Sequence, residues 1–143
     1  MSRHTIENSI PHRESMLLLD EIVSRSADRI VCRKTFRPDE FFLRGHYPGY
    51  PLVPGVILCE CAMQAGAVLL SELAPRGDRV PVATRMNDVR WKRMVRPGET
   101  IDIDVRLDER LADAFFLSAR ITRDGDQVAR LAFACALAAR EDP

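Results

Sequence analysis

Residues 55–70 read GVILCECAMQAGAVLL. The length of this run and its alanine, leucine, methionine, glutamate and glutamine content favour a helix. It is apolar on nearly every side, so the helix is expected to be enclosed all round rather than laid on a surface. It should end near Leu73 to Pro75, where the proline prevents continuation. Downstream lie four strand candidates, residues 80–91, 100–108, 114–123 and 126–138. The second is the clearest. Ile101, Ile103, Val105 and Leu107 alternate with Asp102, Asp104, Arg106 and Asp108, the period of a half-buried antiparallel strand. Pro97-Gly98 supplies a turn before it, and Asp124-Gly125 is a two-residue hairpin signal between the last two. In the last strand Leu131, Phe133, Cys135 and Leu137 share one face and Ala132, Ala134, Ala136 and Ala138 the other, so both faces read as covered. Upstream, residues 16–24 and 29–37 read as two strands joined by a polar turn at Ala27-Asp28. Two strands, one buried helix and four strands make an α+β fold: an antiparallel sheet of about six strands wrapped around one long central helix.

The 143 residues suit a single domain spanning 1–143. Lysine plus arginine number 21 and aspartate plus glutamate number 21, so the zero net charge carries no global footprint for nucleic acid. Balanced charge also suits self-association. The N-terminal stretch MSRHTIENSIPHRES has no apolar core, so no secretory signal is read. The longest apolar run, Leu131 to Ala139, is too short to span a bilayer, and a cytoplasmic location is expected. Four cysteines are present: Cys32, Cys59, Cys61 and Cys135. On a helix Cys59 and Cys61 point to different sides, and no second pair stands at zinc spacing, so they are expected to be reduced structural thiols with no metal.

Between Val56 and Leu70 the helix carries only two polar side chains, Glu60 and Gln64, four apart and so on one stripe. Burial of a carboxylate is costly unless it is paired or keeps its proton. A structural Glu/Gln patch is one outcome. A carboxyl held protonated by an apolar setting, as a general acid needs near neutral pH, is the other. Residues 38–54 hold six of the chain's glycines and prolines in a long irregular segment, Pro38, Gly45, Pro48, Gly49, Pro51 and Pro54, of a kind that more often serves function than filler. His46 sits in it, just before the helix. His12, between Pro11 and Arg13, reads as a packing or capping residue. At the helix entrance the first amides, those of Gly55 and Val56, lack internal partners and carry the positive end of the dipole, so they can hold an oxyanion. A histidine to remove a proton beside a carbonyl, amides to hold the oxyanion and a protonated carboxyl to deliver a proton to a leaving hydroxyl together describe β-elimination of water from a 3-hydroxyacyl thioester.

These residues lie in stretches that resemble the FabZ-type 3-hydroxyacyl-[acyl-carrier-protein] dehydratases. Ile10-Pro11-His12-Arg13 with Met16 to Asp20 matches the family's opening, and Phe41 to Val56 its active-site loop, with Tyr47 in place of the usual phenylalanine. Glu60-Cys61-Ala62-Met63-Gln64 falls on its helix motif, and Val89 to Glu99 on a later strand and turn, with Trp91 for phenylalanine. The resemblance runs from about Ile10 to Leu137. It implies the hot-dog fold, His46 and Glu60 as the catalytic pair, an oxyanion N–H from Gly55, and Val56 and Gln64 as further substrate-site residues. It implies no cofactor. It also implies a homodimer in which His46 of one subunit meets Glu60 of the other, with trimers of such dimers common. The glutamate at position 60 is similar to the FabZ type, since the related FabA type has aspartate there.

The carrier that the resemblance implies is acidic, and its pantetheine arm is joined to it through a phosphate. Arg90, Lys92, Arg93 and Arg96 form the densest basic stretch, and they are candidates for docking it, against the alternative of an ordinary solvated strand face. Two other readings compete with the dehydratase. One is a hot-dog acyl-thioesterase, whose helix carboxylate would activate water without needing the histidine. The other is a non-catalytic subunit that binds acyl thioesters, which could dispense with His46 or Glu60.

Overall fold

The alternation in the second downstream strand is carried into three dimensions: Ile101, Ile103 and Val105 are buried, while Asp102 stands opposite Arg33 of the neighbouring strand and pairs with it at 2.9 Å. The computed structural model that shows this describes residues 3–73 and 79–139. Its elements are α1 (Arg3–Ser9), β1 (Glu21–Arg25), β2 (Arg29–Thr35), a 3-10 turn (Phe41–Leu43), α2 (Gly55–Leu70), β3 (Arg79–Trp91), β4 (Thr100–Leu111), β5 (Ala114–Arg123) and β6 (Asp126–Ala139). The strands form one antiparallel sheet in the order β1-β2-β4-β5-β6-β3, and α2 packs on it, touching every strand from β2 to β6. This is the helix-in-sheet architecture expected from the hydrophobic periods. The β5–β6 hairpin turns on Asp124 (φ 52°) and Gly125 (φ 83°), the two left-handed positions that a tight primed turn requires.

α1 was not anticipated; it is seven residues long, too short to show a period, and is held by Ile6 packing into the core. Three local expectations are corrected. The first strand begins at Glu21 rather than residue 16, because the backbone of Met16 and Leu18 bonds to the side chain of Gln64 and not to a sheet neighbour. The alanine face of β6 is only partly covered, with Ala132, Ala136 and Ala138 half-buried. The helix α2 is not enclosed all round. Val56 is 64% exposed, and Glu60, Met63 and Ala67 are half-buried; spaced 4, 3 and 4 apart, they form one accessible stripe. Pro75, expected to stop the helix, lies outside the described residues; the helix itself gives way to a turn after Leu70.

Two buried features fix the chain that leads into α2. Lys34 on β2 and Glu40 are almost fully buried and pair at 2.9 Å, with Asp20 at 3.8 Å from the same ammonium, so the segment after β2 is anchored to the sheet. Val53 then bonds through its N–H to the Val95 carbonyl at 2.8 Å, which seats the last residues before the helix beside the turn that precedes β4. On the far side of α2, Gly66 lets the helix approach β5 and β6: a Cβ there would lie 2.8 Å from Cζ of Phe133 and 3.3 Å from Leu117.

Gly66→Ala therefore sets two effects against each other. Alanine improves helix propensity by roughly 1 kcal/mol, but crowding a packed core costs about 1–3 kcal/mol, and the Phe133 ring, 2% exposed, has nowhere to move. The expected outcome is a net loss of about 1 kcal/mol, read as a lower denaturant midpoint with an unchanged slope.

Candidate active site

His46 stands on the loop that the glycines shape. Gly45 (φ 75°) and Gly49 (φ 82°) take left-handed backbone on either side of it, and Tyr47 does so as well (φ 55°). The His46 Nδ1 lies 2.8 Å from the Leu52 carbonyl. A carbonyl only accepts, so Nδ1 carries the proton, and the lone pair of the neutral ring is left on Nε2. The Tyr47 ring meets the imidazole edge-on, with centroids 4.8 Å apart, and limits its rotation. His46, Tyr47, Leu52, Pro54, Gly55, Val56, Leu58, Trp91 and Met94 are among the residues lining a cavity of about 420 Å³ with mostly apolar walls.

The N-terminus of α2 forms one wall of that cavity. Pro54 accepts from Ile57 (2.9 Å) and Leu58 (3.4 Å), while the amides of Gly55 and Val56 belong to the first turn, which has no internal acceptor to offer them. Gly55 has a reason to be glycine that its sequence position did not reveal. The Trp91 indole lies against it, so that a Cβ would come within 2.7 Å of the ring, and the indole N–H donates to the Gly55 carbonyl at 2.9 Å.

Glu60 lies about 1.4 turns beyond Gly55 along α2. Its Oε2 accepts from Gln64 Nε2 at 3.0 Å. Gln64 is buried and has every polar position engaged: its oxygen accepts from the Leu18 N–H at 2.9 Å, and its nitrogen also donates to the Met16 carbonyl at 2.7 Å. The Leu18 N–H can only donate, which fixes the amide orientation. Glu60 keeps 27% of its side chain exposed, so one chain does not supply the apolar enclosure expected around it. Within one chain no hydrogen bond or ion pair joins His46 to Glu60 among the described residues, and Glu60 does not line the His46 cavity. His12 is the residue the sequence reading set aside: its Nε2 lies 4.0 Å from Glu60 Oε2. The Pro-His-Arg stretch was visible, but nothing local linked it to a helix 48 residues away.

Of the four basic candidates, Lys92, Arg93 and Arg96 line one open cleft of about 610 Å³ beside Trp91 and Met94, while Arg90 stands on β3 opposite Arg130 and does not line it. Arg123, from the end of β5, joins the cleft; it donates to the Met94 carbonyl at 2.6 Å and pairs with Glu99 at 3.0 Å. Arg93 and Met94 line both the cleft and the His46 cavity, so the two adjoin. The four cysteines are free and buried. Burial pushes Cys32 up to about 12 and Cys135 up to about 11, and raises Cys59 and Cys61, so all four are thiols rather than thiolates at neutral pH.

Known proteins are similar to this chain in sequence and in fold. The model of the ApeI-like family, described as ApeI dehydratase, matches residues 22–130, a span that contains both His46 and Glu60. The chain belongs to this dehydratase family. FabZ-type members agree: the 3-hydroxyacyl-[acyl-carrier-protein] dehydratase FabZ of Oenococcus oeni is 34% identical over 128 residues, covering 89% of this chain and 92% of the relative. The FabZ of Pseudothermotoga lettingae is 40% identical over 112 residues, 77% of each. Among solved structures, the dehydratase heterocomplex ApeI:P from Xenorhabdus doucetiae superposes with a TM-score of 0.81 at 19% identity, covering 93% of this chain and 90% of that one, which shows the common hot-dog fold. At Trp91, where the sequence resemblance leads one to expect phenylalanine, the indole N–H adds the bond to Gly55.

That bond makes Gly55→Ala informative. The new methyl displaces the indole and breaks the bond to the Gly55 carbonyl. Trp91 is half-exposed and can yield, so the stability cost is expected at the low end of about 1–3 kcal/mol. Trp91 is the chain's only tryptophan, so its emission should shift to the red in the variant, a change that fluorescence reads directly.

Proposed function

We propose that the protein dehydrates (3R)-3-hydroxyacyl-[acyl-carrier-protein] thioesters to trans-2-enoyl thioesters in acyl-chain biosynthesis, with His46 as base and Glu60 as acid. The observation that carries this is the His46 Nδ1 bond to Leu52, which leaves an unprotonated Nε2 beside the free amides of the α2 N-terminus. A thioester carbonyl held by the Gly55 and Val56 amides presents its α-proton to Nε2, and those amides stabilise the enolate oxygen as charge develops. Glu60 protonates the β-hydroxyl, which leaves as water with the C–O electron pair. Hydration runs the same steps in reverse. Gln64 holds Glu60 in place. The names of the relatives and the family model support this reading over a thioesterase or a non-catalytic subunit.

In this reading the active site is shared between two copies of the chain. Two features support it: the exposed stripe on α2 that carries Glu60, and β3, a 13-residue edge strand exposed along most of its length, with Val82 and Met86 uncovered. A long unpaired edge of this kind calls for a covering partner. A second copy pairing along β3 would bring one subunit's His46 toward the other's Glu60, and trimers of such dimers extend the same assembly. The buried free thiols suit a reducing, cytoplasmic compartment. No helix among the described residues is long and apolar enough to cross a membrane.

Glu60→Gln preserves size and most hydrogen bonding but has no acidic proton, and it should lose on the order of 10²–10⁴ in turnover while folding and assembling normally. His46→Ala should lose at least as much, and the double variant little more, because the pair acts as a unit. Mixed His46→Ala and Glu60→Ala subunits should recover part of the activity, since some hybrids hold one intact pair. Near-normal dehydration by the Gln variant would sink the acid assignment, and no recovery after verified subunit exchange would place the pair within one chain.

The cleft of Lys92, Arg93, Arg96 and Arg123 is the carrier's dock in this reading, with Arg90 a more distant contributor. Reversing the charge of Arg93 or Arg96 should raise the apparent KM for the carrier-bound substrate several-fold more than for a short free thioester. Steady-state kinetics on both substrates distinguishes this from a general loss of activity, which would affect them equally.

A further inference from the structure

The segment Pro11-His12-Arg13 is more tightly built than a loop before a strand needs to be. The Arg13 guanidinium donates to the carbonyls of Ile10 (3.0 Å), His12 (2.7 Å) and Glu7 (3.0 Å), which ties residues 10–13 back to the end of α1. The Arg13 carbonyl in turn accepts from the N–H groups of Met16 (2.8 Å) and Leu17 (3.0 Å). His12 is thus held from both sides by its neighbours, and its ring faces Glu60. Its Nδ1 is buried with no hydrogen-bond partner. A proton there would be left without an acceptor, which is costly, so the neutral imidazole carries its one proton on Nε2. The Nε2 nitrogen stands 4.0 Å from Glu60 Oε2, just outside hydrogen-bond reach of the oxygen that already accepts from Gln64. Gln64 thus donates to Oε2 and a small shift of the carboxyl would let His12 join it, while no hydrogen bond among the described residues engages Oε1.

We infer that His12 is a positioning residue for Glu60: its Nε2–H closes on Oε2 as the carboxylate forms, so that proton delivery runs through Oε1. This rests on the reading of Glu60 as the general acid. One proton moves from Oε1 to the β-hydroxyl, which departs as water with the C–O electron pair, while the α-proton goes to His46 Nε2. His12 keeps its own proton throughout. The hydrogen bond it gains is strongest to the charged carboxylate, so it assists the step in which that charge appears. His12 lies outside the span matched by the family model, and it acts from the chain segment that Gln64 also grips.

The test compares three variants on the full-length assembled protein. His12→Gln can extend an amide N–H to the position of Nε2, whereas His12→Asn reaches only the position of Nδ1. His12→Phe keeps the ring volume without a donor. The expected result is turnover within about threefold of wild type for Gln, and a loss on the order of tenfold in kcat with unchanged KM for Asn and Phe. Exchange of the substrate α-proton with solvent, which His46 performs, should stay near wild type in all three. If Phe fails to fold, the Gln–Asn contrast decides alone. Equal turnover in Gln and Asn, whether both are full or both are lost together with α-proton exchange, overturns the inference. Glu60→Gln run alongside separates the two levels: an inactive Glu60→Gln with a fully active His12→Asn defeats the role of His12 only, whereas an active Glu60→Gln defeats the acid assignment beneath it.

Discussion

The buried amide of Gln64 joins two parts of the molecule that are far apart in the chain. It bonds to both the N–H of Leu18 and the carbonyl of Met16, and so takes the place of a sheet neighbour for a stretch of backbone that crosses under α2. It also donates to Glu60 one turn back on the same helix. Losing it would strand the buried Leu18 N–H, at a cost of about 1–3 kcal/mol, and would release the Met16 carbonyl and the Glu60 carboxyl at the same time. The stability of the helix–segment junction and the orientation of the Glu60 carboxyl therefore depend on one side chain. The N-terminal segment owes its course to it, with Leu17, Leu18 and Leu19 buried on the way to β1.

The histidine is fixed by a different kind of constraint. Its loop has no regular hydrogen-bond ladder, so it is held at its ends: by the buried Lys34–Glu40 pair at the start and by the Val53–Val95 bond just before α2. Between them, left-handed residues turn the backbone sharply enough for the His46 ring to bond to the Leu52 carbonyl six residues on. The loop thus sets the tautomer of the ring as well as its place. The helix start is fixed from the opposite side by Trp91, which ties β3 to the first turn of α2. His46 and the Gly55 and Val56 amides are held by separate elements that meet at one cavity.

A single chain leaves two of its surfaces unfinished. The edge of β3 and the accessible stripe of α2 both break the usual pattern of an enclosed apolar element, and the stripe includes Glu60. The Glu60 carboxyl is left accessible along the same line as Val56, Met63 and Ala67, the feature on which the proposed shared site rests. The basic cleft beside the cavity, with arginines from the β3–β4 connection and from β5, provides a charged approach to the same mouth.

Much of this was legible in the chain because hydrophobic period is a local property. The alternation of Ile101, Ile103 and Val105, the run over residues 55–70 and the Asp124-Gly125 turn each act over a few residues, and each produced the element it implied. The same locality singled out His46 in its glycine-rich loop and Glu60 with Gln64 on an apolar helix, and the motifs they sit in were enough to indicate the family. What the period could not carry were contacts made across the fold. Met16 to Leu19 has the apolar character of a strand, but its backbone bonds to the Arg13 carbonyl and to a side chain 46 residues away rather than to a neighbouring strand, so it is not one. The full apolar surface of α2 concealed which stripe would stay open, because the sheet covers some sides and not others. His12 beside Glu60, Trp91 against Gly55 and Arg123 in the basic cleft are all products of tertiary packing: side chains from separate elements brought within a few ångströms, where charge and hydrogen bonding act, by a core that none of those residues specifies on its own.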